Sequence, residues 1–249
     1  MGEQDMAPSR TATRAATGTP PRAAGLGGLA SLRPQRVRQI WVTLWFVALL
    51  PFVRLLYLGA TNQFGANPLE FVTRSTGTWT LVMLCATLTI TPLRRLTGWP
   101  WLLRLRRMLG LFAFFYGLQH FLLWIGVDRG FDLAYMLKDV GKRPFITVGF
   151  AAFMLMIPLA LTSTNGMVRR LGGRRWQALH RLVYAIAVLA ILHYWWHKAG
   201  KHDFGVVSRY AAYVAMLLGM RLWWALRARV SATRATGPSG AVVRPSLRK

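Results

Sequence analysis

The sequence predicts an all-α integral membrane protein, a six-transmembrane-helix bundle with both termini in the cytoplasm. Three observations predict this fold class. Hydrophobic residues make up 54% of the 249 residues and charged residues only 16%, whereas soluble domains carry about 25% charged residues. The mean hydropathy is +0.33, and the apolar residues are gathered in runs of about 20 residues, the length that crosses a hydrocarbon core. Basic residues lie between these runs, at alternate ends.

The six predicted spans cover approximately residues 41–60, 76–93, 108–127, 145–164, 176–196 and 206–226. Each run is continuously apolar, whereas strands of a membrane barrel are about 10 residues long and alternate in polarity, so we expect helices. Pro51, Pro92 and Pro158 are expected to kink or end their helices, which membrane bundles tolerate. The first run lacks a small-residue cleavage site and is expected to be a retained helix rather than a signal peptide.

The chain divides into three predicted parts. Residues 1–38 are rich in Ala, Gly, Pro, Thr and Arg without an apolar period, which predicts a disordered basic tail. Residues 39–227 hold the six-helix domain, and residues 228–249 form a basic cytoplasmic C-terminal tail.

Basic residues mark the predicted cytoplasmic side, because cytoplasmic loops carry an excess of Lys and Arg. They cluster in both tails and in two loops, where they are Arg94, Arg95, Arg104, Arg106, Arg107, Arg169, Arg170, Arg174 and Arg175. The opposite side has fewer basic residues and five of the seven acidic ones. We therefore assign the net charge of +25 to topology and to contact with the anionic lipid bilayer, and expect no nucleic-acid partner.

Histidines are the candidate metal ligands, because the single cysteine, Cys85, excludes a cysteine-based cluster. Ionisable side chains at membrane depth are costly and mark functional sites by default. At about 1.5 Å per residue, His120 lies about 18 Å and His193 about 25 Å from the cytoplasmic ends of their spans, so both fall toward the outer face. His180 lies near the cytoplasmic face, about 20 Å from His193. This separation suits two stacked cofactors, one in each leaflet.

A six-coordinate haem requires two axial nitrogens on opposite sides of its plane, and His120 and His193, on two different spans, meet that requirement. The alternative is structural, since a membrane histidine can simply hydrogen-bond a neighbouring helix. Zinc transport and proton pumping are not expected, because no Asp or Glu lies inside a predicted span. His197, one turn after His193, is an alternative outer ligand or an interfacial residue, and His202 is expected at the surface.

Several segments together resemble one family. These are TGTWTLVMLCATLTITPLRRL, RLRRMLGLFAFFYGLQHFLLW, KRPFITVGF and LALTSTNGMVRRLGGRRWQALHRLVYAIAVLAILHYWW. In this order and spacing, over about residues 40–225, they look like the MsrQ (formerly YedZ) family. Members of that family are haem-binding membrane subunits of the bacterial periplasmic methionine sulfoxide reductase system.

The resemblance implies a ferric-reductase-like transmembrane domain in the bacterial inner membrane, with one or two b-type haems. His120, His180 and His193 match the haem-linked histidines of the family. The resemblance also implies that electrons come from the quinol pool and pass to MsrP, a periplasmic molybdopterin enzyme that repairs oxidised methionine. Members are reported to bind flavin mononucleotide (FMN), which would be a second carrier.

One departure from related ferric reductases concerns His180. Those relatives carry two histidines on each of two helices, whereas the third span here has only His120, so His180 lacks a partner imidazole. Met108 as a weak axial ligand, a five-coordinate inner haem and a single tightly bound haem are the open alternatives.

Two further predictions concern cationic groups. Arg106 and Arg107 suit a haem propionate or a flavin phosphate, because guanidinium forks pair with such oxygens, and the alternative is that they only set topology. Arg74, Lys142 and Arg143 on the outer side carry the same ambiguity, with propionates or a docking partner as candidates.

The absence of a Gly-rich dinucleotide fingerprint predicts that electrons arrive from a membrane carrier or another protein rather than from nicotinamide. The sequence predicts no catalytic residue and favours a redox subunit. Two alternatives remain, a self-sufficient ferric or metal reductase and a non-redox structural or transport bundle.

Overall fold

The computed structural model describes residues 32–200 and 202–235, and each element in this part of the chain is helical. A π-helical segment, Leu123–Asp128, directly follows the third helix. The α-helices are α1 (Pro34–Ala60), α2 (Pro68–Thr97), α3 (Leu102–Leu122), α4 (Leu133–Lys142), α5 (Pro144–Leu161), α6 (Asn165–Leu171), α7 (Gly173–His180), α8 (Leu182–Ala199) and α9 (Gly205–Ala235). The all-α prediction is confirmed for the described residues.

Five stretches within residues 32–200 and 202–235 are long and apolar enough to cross a membrane: Pro34–Ala60, Pro68–Thr97, Leu102–Asp128, Pro144–Leu161 and Gly173–Ala199. These contain the first, second, third and fifth predicted spans, and the fourth as far as residue 161. The sixth, residues 206–226, lies inside the single helix α9 but is not among the five. Arg209 and Arg221 fall within it and lower its hydropathy. A sixth crossing and the cytoplasmic position of both termini therefore stay predictions.

The helices at the two ends of the described chain are longer than predicted. α1 begins at Pro34, inside the predicted tail of residues 1–38, and α9 runs to Ala235, inside the predicted tail of residues 228–249. Proline is favoured in the first turn of a helix, where its missing N–H costs no hydrogen bond. The long side chain of an arginine near a helix end can place its charge in the headgroup region. A helix can therefore continue past its apolar part. Residues 1–31 and 236–249 of the predicted tails lie outside the described residues.

The centre of the bundle is the pair α2 and α3, and a second pair is formed by α5 and α8. Leu84 and Leu88 of α2 pack in one buried cluster with Leu105 and Phe112 of α3. By contrast, side chains such as Phe46 of α1 remain 60% exposed. Large exposed apolar side chains around a packed interior are what a lipid environment requires.

A tyrosine of α3 inserts its hydroxyl into the backbone of α1 beside Pro51. The Tyr116 hydroxyl donates a hydrogen bond to the carbonyl of Ala48 (2.7 Å) and accepts one from the backbone N–H of Phe52 (3.3 Å). Ala48 and Phe52 are four residues apart, so the hydroxyl is inserted into the helical ladder, a recognised cause of sharp bends. Tyr116 is fully buried, and its position joins α1 to the core.

The sequence did not predict α4, because its ten residues are too few and too charged for a span. Its N-terminus is capped by Asp132, whose side chain accepts from the N–H of Tyr135 (3.0 Å). Asp139 is buried and forms ion pairs with Arg129 (2.7 Å) and Arg143 (3.1 Å). These pairs tie α4 to the end of the π-helical segment and to the start of α5.

Candidate functional site

His120 lies near the end of α3 and faces α2. Its Nδ1 lies 2.9 Å from the carbonyl oxygen of Thr73. A carbonyl oxygen only accepts, so the proton of the neutral imidazole is on Nδ1, which donates to Thr73. Nε2 therefore carries a lone pair. The π-helical segment begins three residues later, and such segments occur frequently at functional sites.

His193 lies on α8 and is held by α5 in the same manner. Its Nδ1–H donates to the carbonyl oxygen of Phe145 at 2.7 Å. The Phe145 ring also lies beside the imidazole, with 6.1 Å between centroids. Nε2 of His193 is again left with its lone pair, because Nδ1 holds the proton. Each imidazole is thus oriented by a backbone carbonyl of a different neighbouring helix, the arrangement that typically orients a metal-binding histidine.

The structure brings the rings of His120 and His193 together, with centroids 6.0 Å apart and planes at 81°. A metal bound by both imidazoles at about 2 Å per bond would separate the centroids by roughly 6 Å, since each centroid lies about 1 Å behind its nitrogen. The large angle is compatible with this, because each ring can rotate about its own metal–nitrogen bond. The pair therefore fits the two axial ligands of a haem.

Two glycines allow the imidazoles to pack closely against the neighbouring helices α5 and α2. A Cβ added to Gly149 of α5 would lie 2.5 Å from Nδ1 of His193, and one added to Gly77 of α2 would lie 3.1 Å from Nδ1 of His120. The first distance is far below van der Waals contact. Small residues allow close approach of membrane helices, and here they also make room for the ligand side chains.

The histidine pair suits a porphyrin-bound metal rather than a bare ion. Within the described residues no group of three or more His, Cys, Asp or Glu side chains is arranged to hold a metal. A haem needs only the two axial ligands from the protein, because the porphyrin supplies the other four nitrogens. The donor set of two neutral imidazoles is one that haem proteins use.

His180 lies apart from this pair, at the end of α7, among different neighbours. Its Nδ1–H donates to the carbonyl oxygen of Trp176 (3.0 Å), one turn earlier, and its Nε2 lies 3.4 Å from the Ser163 hydroxyl. The ring that packs against it is the Trp176 indole, stacked with centroids 3.9 Å apart. The indole N–H donates to the carbonyl of Thr162 (2.9 Å). His180 thus shares the tautomer of the other two histidines but faces a serine and a tryptophan.

Arg106 and Arg107 diverge, because consecutive residues of a helix point about 100° apart. Arg106 lies on the His180 side of α3. Arg107 donates to the side-chain oxygen of Asn165 on α6 (2.5 Å) and lines a cleft between α1 and α3. Met108, one of the alternatives for the partner of His180, is buried and lines that same cleft.

The remaining candidates lie at the end of the bundle that carries the histidine pair. The ring of His197 contacts Phe145, with centroids 5.8 Å apart, and the side chain is exposed. His202 is exposed in a turn with positive φ. Arg74 pairs with Glu70 (2.5 Å), and Arg143 pairs with Asp139 as described above. Both arginines therefore have carboxylate partners within the chain.

Sequence reasoning missed the groups that orient the histidines. The carbonyl oxygens of Thr73 and Phe145 belong to the backbone, so no residue type identifies them. Gly77 and Gly149 carried a usable signal, because each is a glycine inside an apolar span, where a small residue indicates close helix packing. The π-helical segment carried no such signal.

A family model matches part of the chain. Residues 76–191 match the family model described as "Ferric reductase like transmembrane component", a segment that contains His120 and His180. No solved structure matches the chain.

Three similar proteins have the name "Protein-methionine-sulfoxide reductase heme-binding subunit MsrQ". The protein from Ralstonia nicotianae is 70% identical over 196 residues, which are 79% of this chain and 90% of the relative. The one from Herminiimonas arsenicoxydans is 60% identical over 206 residues, 83% of this chain and 94% of the relative. The one from Bordetella pertussis is 60% identical over 200 residues, 80% of this chain and 97% of the relative.

Proposed function

Since the chain belongs to the MsrQ family of haem-binding subunits of protein-methionine-sulfoxide reductases, we propose that it conducts electrons across the bacterial inner membrane. The donor is a membrane quinol and the acceptor is MsrP, a periplasmic molybdopterin enzyme. The observation that carries the proposal is the pair of imidazoles 6.0 Å apart, each with its Nδ1 proton donated to a backbone carbonyl.

The reaction balances without a further reductant. A quinol releases two electrons and two protons as it becomes a quinone. Reduction of a methionine sulfoxide consumes two electrons and two protons and gives methionine and water. The chain's part is to connect the two half-reactions, quinol oxidation in the membrane and sulfoxide reduction in the periplasm. Haem b, when bound, supplies the one-electron carrier for this transfer.

His120 and His193 are the proposed axial ligands at the outer site. The Thr73 and Phe145 carbonyls accept hydrogen bonds from the two Nδ1–H groups. These bonds leave both Nε2 atoms unprotonated and fix the orientation of the rings. A b-type haem is supported by the cysteine count, because covalent attachment of a c-type haem requires a pair of cysteines and the chain has one.

His180 is the proposed ligand at the cytoplasmic site. Arg106, near this histidine, suits a haem propionate or an FMN phosphate, since a guanidinium forms strong charge-assisted hydrogen bonds with such oxygens. We propose that the His180 end of the bundle faces the cytoplasm. The arginine-rich loops on the Arg106 side support this orientation, because the positive-inside rule assigns such loops to the cytoplasm.

The test is the haem content and spectrum of the purified chain. We expect a dithionite-reduced minus oxidised spectrum of low-spin haem b, with pyridine haemochrome giving one or two haems per polypeptide. His193→Ala and His120→Ala should each lose the low-spin signal, and His202→Ala, in an exposed turn, is the matched control. A colourless wild-type protein, or an unchanged spectrum in His193→Ala, would overturn the proposal.

The donor and acceptor are tested separately. Quinol should reduce the bound haem, and added MsrP with methionine sulfoxide should reoxidise it. The family model of residues 76–191 favours one rival, a self-sufficient ferric reductase. This rival predicts rapid reoxidation by a ferric chelate and none by MsrP.

A further inference from the structure

A cleft of about 720 Å³ opens between α1 and α3. Trp41, Trp45 and Leu49 of α1 form one wall, and residues between Leu103 and Phe115 of α3 form the other. No histidine is among these lining residues. None of the residues assigned to the proposed electron path, namely His120, His193, His180 and Arg106, lines the α1–α3 cleft, so that path does not account for it.

The walls of the α1–α3 cleft are apolar beyond its two arginines. Met108 to Phe115 is a step of seven residues along α3, about 10 Å at the helical rise, which lies within the roughly 15 Å of half a hydrocarbon core. Trp45 and Leu111 are 36% and 40% exposed. Large partly exposed apolar side chains along a lateral opening suit a hydrocarbon chain.

One end of the cleft is basic. Arg104 and Arg107 lie one helical turn apart on α3 and both line it. The side-chain oxygen of Asn165 on α6 accepts a hydrogen bond from Arg107 and so restrains its guanidinium. Arg104 is exposed. No carboxylate is among the cleft's lining residues, so the lining itself does not neutralise these charges.

An apolar wall and a basic end match a ligand that has a hydrocarbon chain and an anionic headgroup. We propose that the α1–α3 cleft binds one anionic phospholipid, with its phosphate at Arg104 and Arg107 and an acyl chain along Trp45, Leu111 and Phe115. Guanidinium groups pair with phosphate oxygens through parallel hydrogen bonds, and anionic lipid attracts basic residues at the membrane surface by about 1 kcal/mol each. A zwitterionic lipid lacks the net charge that the two arginines favour.

The packing of α1 gives this lipid a structural role. The buried residues of α1 are few, namely Val37, Ala48, Pro51 and Leu55, and the hydrogen bonds of the Tyr116 hydroxyl are a main link to α3. A lipid in the cleft contacts both helices and increases the apolar area buried between them. We therefore expect the bound lipid to stabilise the attachment of α1 beside α3.

The experiment is a lipid titration of the purified full chain in detergent, with native mass spectrometry counting lipids per chain. We expect one saturable phosphatidylglycerol and weaker binding of phosphatidylcholine. Arg104→Gln combined with Arg107→Gln should weaken phosphatidylglycerol binding about 30-fold, the effect of two such arginines. Leu111→Trp, which fills the cleft while leaving both arginines, should weaken it as well. Arg169→Gln combined with Arg170→Gln, two exposed arginines on α6, is the matched control and should bind as wild type.

Competition experiments distinguish the phospholipid from other occupants of the cleft. Inorganic phosphate should not displace the lipid, because it lacks the acyl chain, and ubiquinone should not displace it, because it lacks the charge. Equal binding of phosphatidylcholine, displacement by phosphate or by ubiquinone, or unchanged binding in the Arg104/Arg107 variant would each overturn the proposal. Leu111→Trp also reports Tm, which added phosphatidylglycerol should raise in wild type and leave unchanged in the variant. These outcomes do not depend on electron transfer.

Discussion

The guanidinium of Arg221 on α9 donates a hydrogen bond to the carbonyl oxygen of Leu88 on α2. This carbonyl lies four residues before Pro92, and a helical carbonyl normally accepts from the N–H four residues later. Proline has no N–H, so Leu88 lacks its helical donor. The arginine supplies the missing donor from a different helix and thereby connects α9 to the core.

We expect Arg221→Leu to lower the free energy of unfolding by about 2 kcal/mol, because the Leu88 carbonyl becomes buried without a donor. Introducing Pro92→Ala restores a backbone N–H for this carbonyl, so the same Arg221→Leu change should then cost less. Thermal unfolding in detergent, followed by tryptophan fluorescence, measures all four proteins of the cycle. An equal loss in both backgrounds would show that Arg221 does not act through Leu88.

Tyr116→Phe should destabilise the protein by about 1 to 3 kcal/mol. The change removes only the hydroxyl, leaving the Ala48 carbonyl and the Phe52 N–H without their buried partner. Tyr57→Phe is the matched control, since Tyr57 is 61% exposed, and it should leave Tm unchanged. If both variants kept the wild-type Tm, the inserted hydroxyl would have no energetic role beside Pro51.

Gly149→Ala should reduce haem occupancy about tenfold, the lower end of the effect of disturbing groups that orient a metal ligand. The new methyl group would lie 2.5 Å from His193 Nδ1 and must displace the ring. Gly77→Ala, at 3.1 Å from His120, should have a smaller effect, and Gly219→Ala, with nothing within 4 Å, should have none. The haem-to-protein ratio gives the order directly, and equal ratios in the three variants would contradict it.

Asp139→Asn should cost about 3 kcal/mol, because it removes the charge from a buried carboxylate that pairs with Arg129 and Arg143. Arg129 has only 12% of its side chain exposed, so water compensates it poorly. Hydrogen exchange should be faster in α4, which these pairs hold in place. Asp128→Asn removes the more exposed partner of Arg129 (3.1 Å, 43% side-chain exposure) and should therefore cost less. Unaltered exchange in Asp139→Asn would refute this role.

Much of the fold follows from composition alone, because an apolar run in lipid must satisfy its backbone internally and therefore forms a helix. This reasoning located the first five spans and, with the helical rise, placed His120 and His193 in the same half of the bundle. It failed at α4, whose packing depends on the ion pairs of Asp139. It also set the domain bounds at residues 39 and 227, inside helices α1 and α9, since hydropathy does not report how far a helix continues into the headgroup region.

The sequence by itself determined the long apolar helices and how far along its helix each histidine lies, since both depend on local pattern and on distance along one helix. Only the tertiary structure decided which groups face each other. The contacts of His120 with Thr73, of His193 with Phe145 and of Arg221 with Leu88 join residues 47 or more positions apart. Such contacts depend on how the helices rotate and pack against each other, which no local pattern specifies. For the same reason, the two adjacent arginines 106 and 107 face different surroundings although the sequence presents them as a pair.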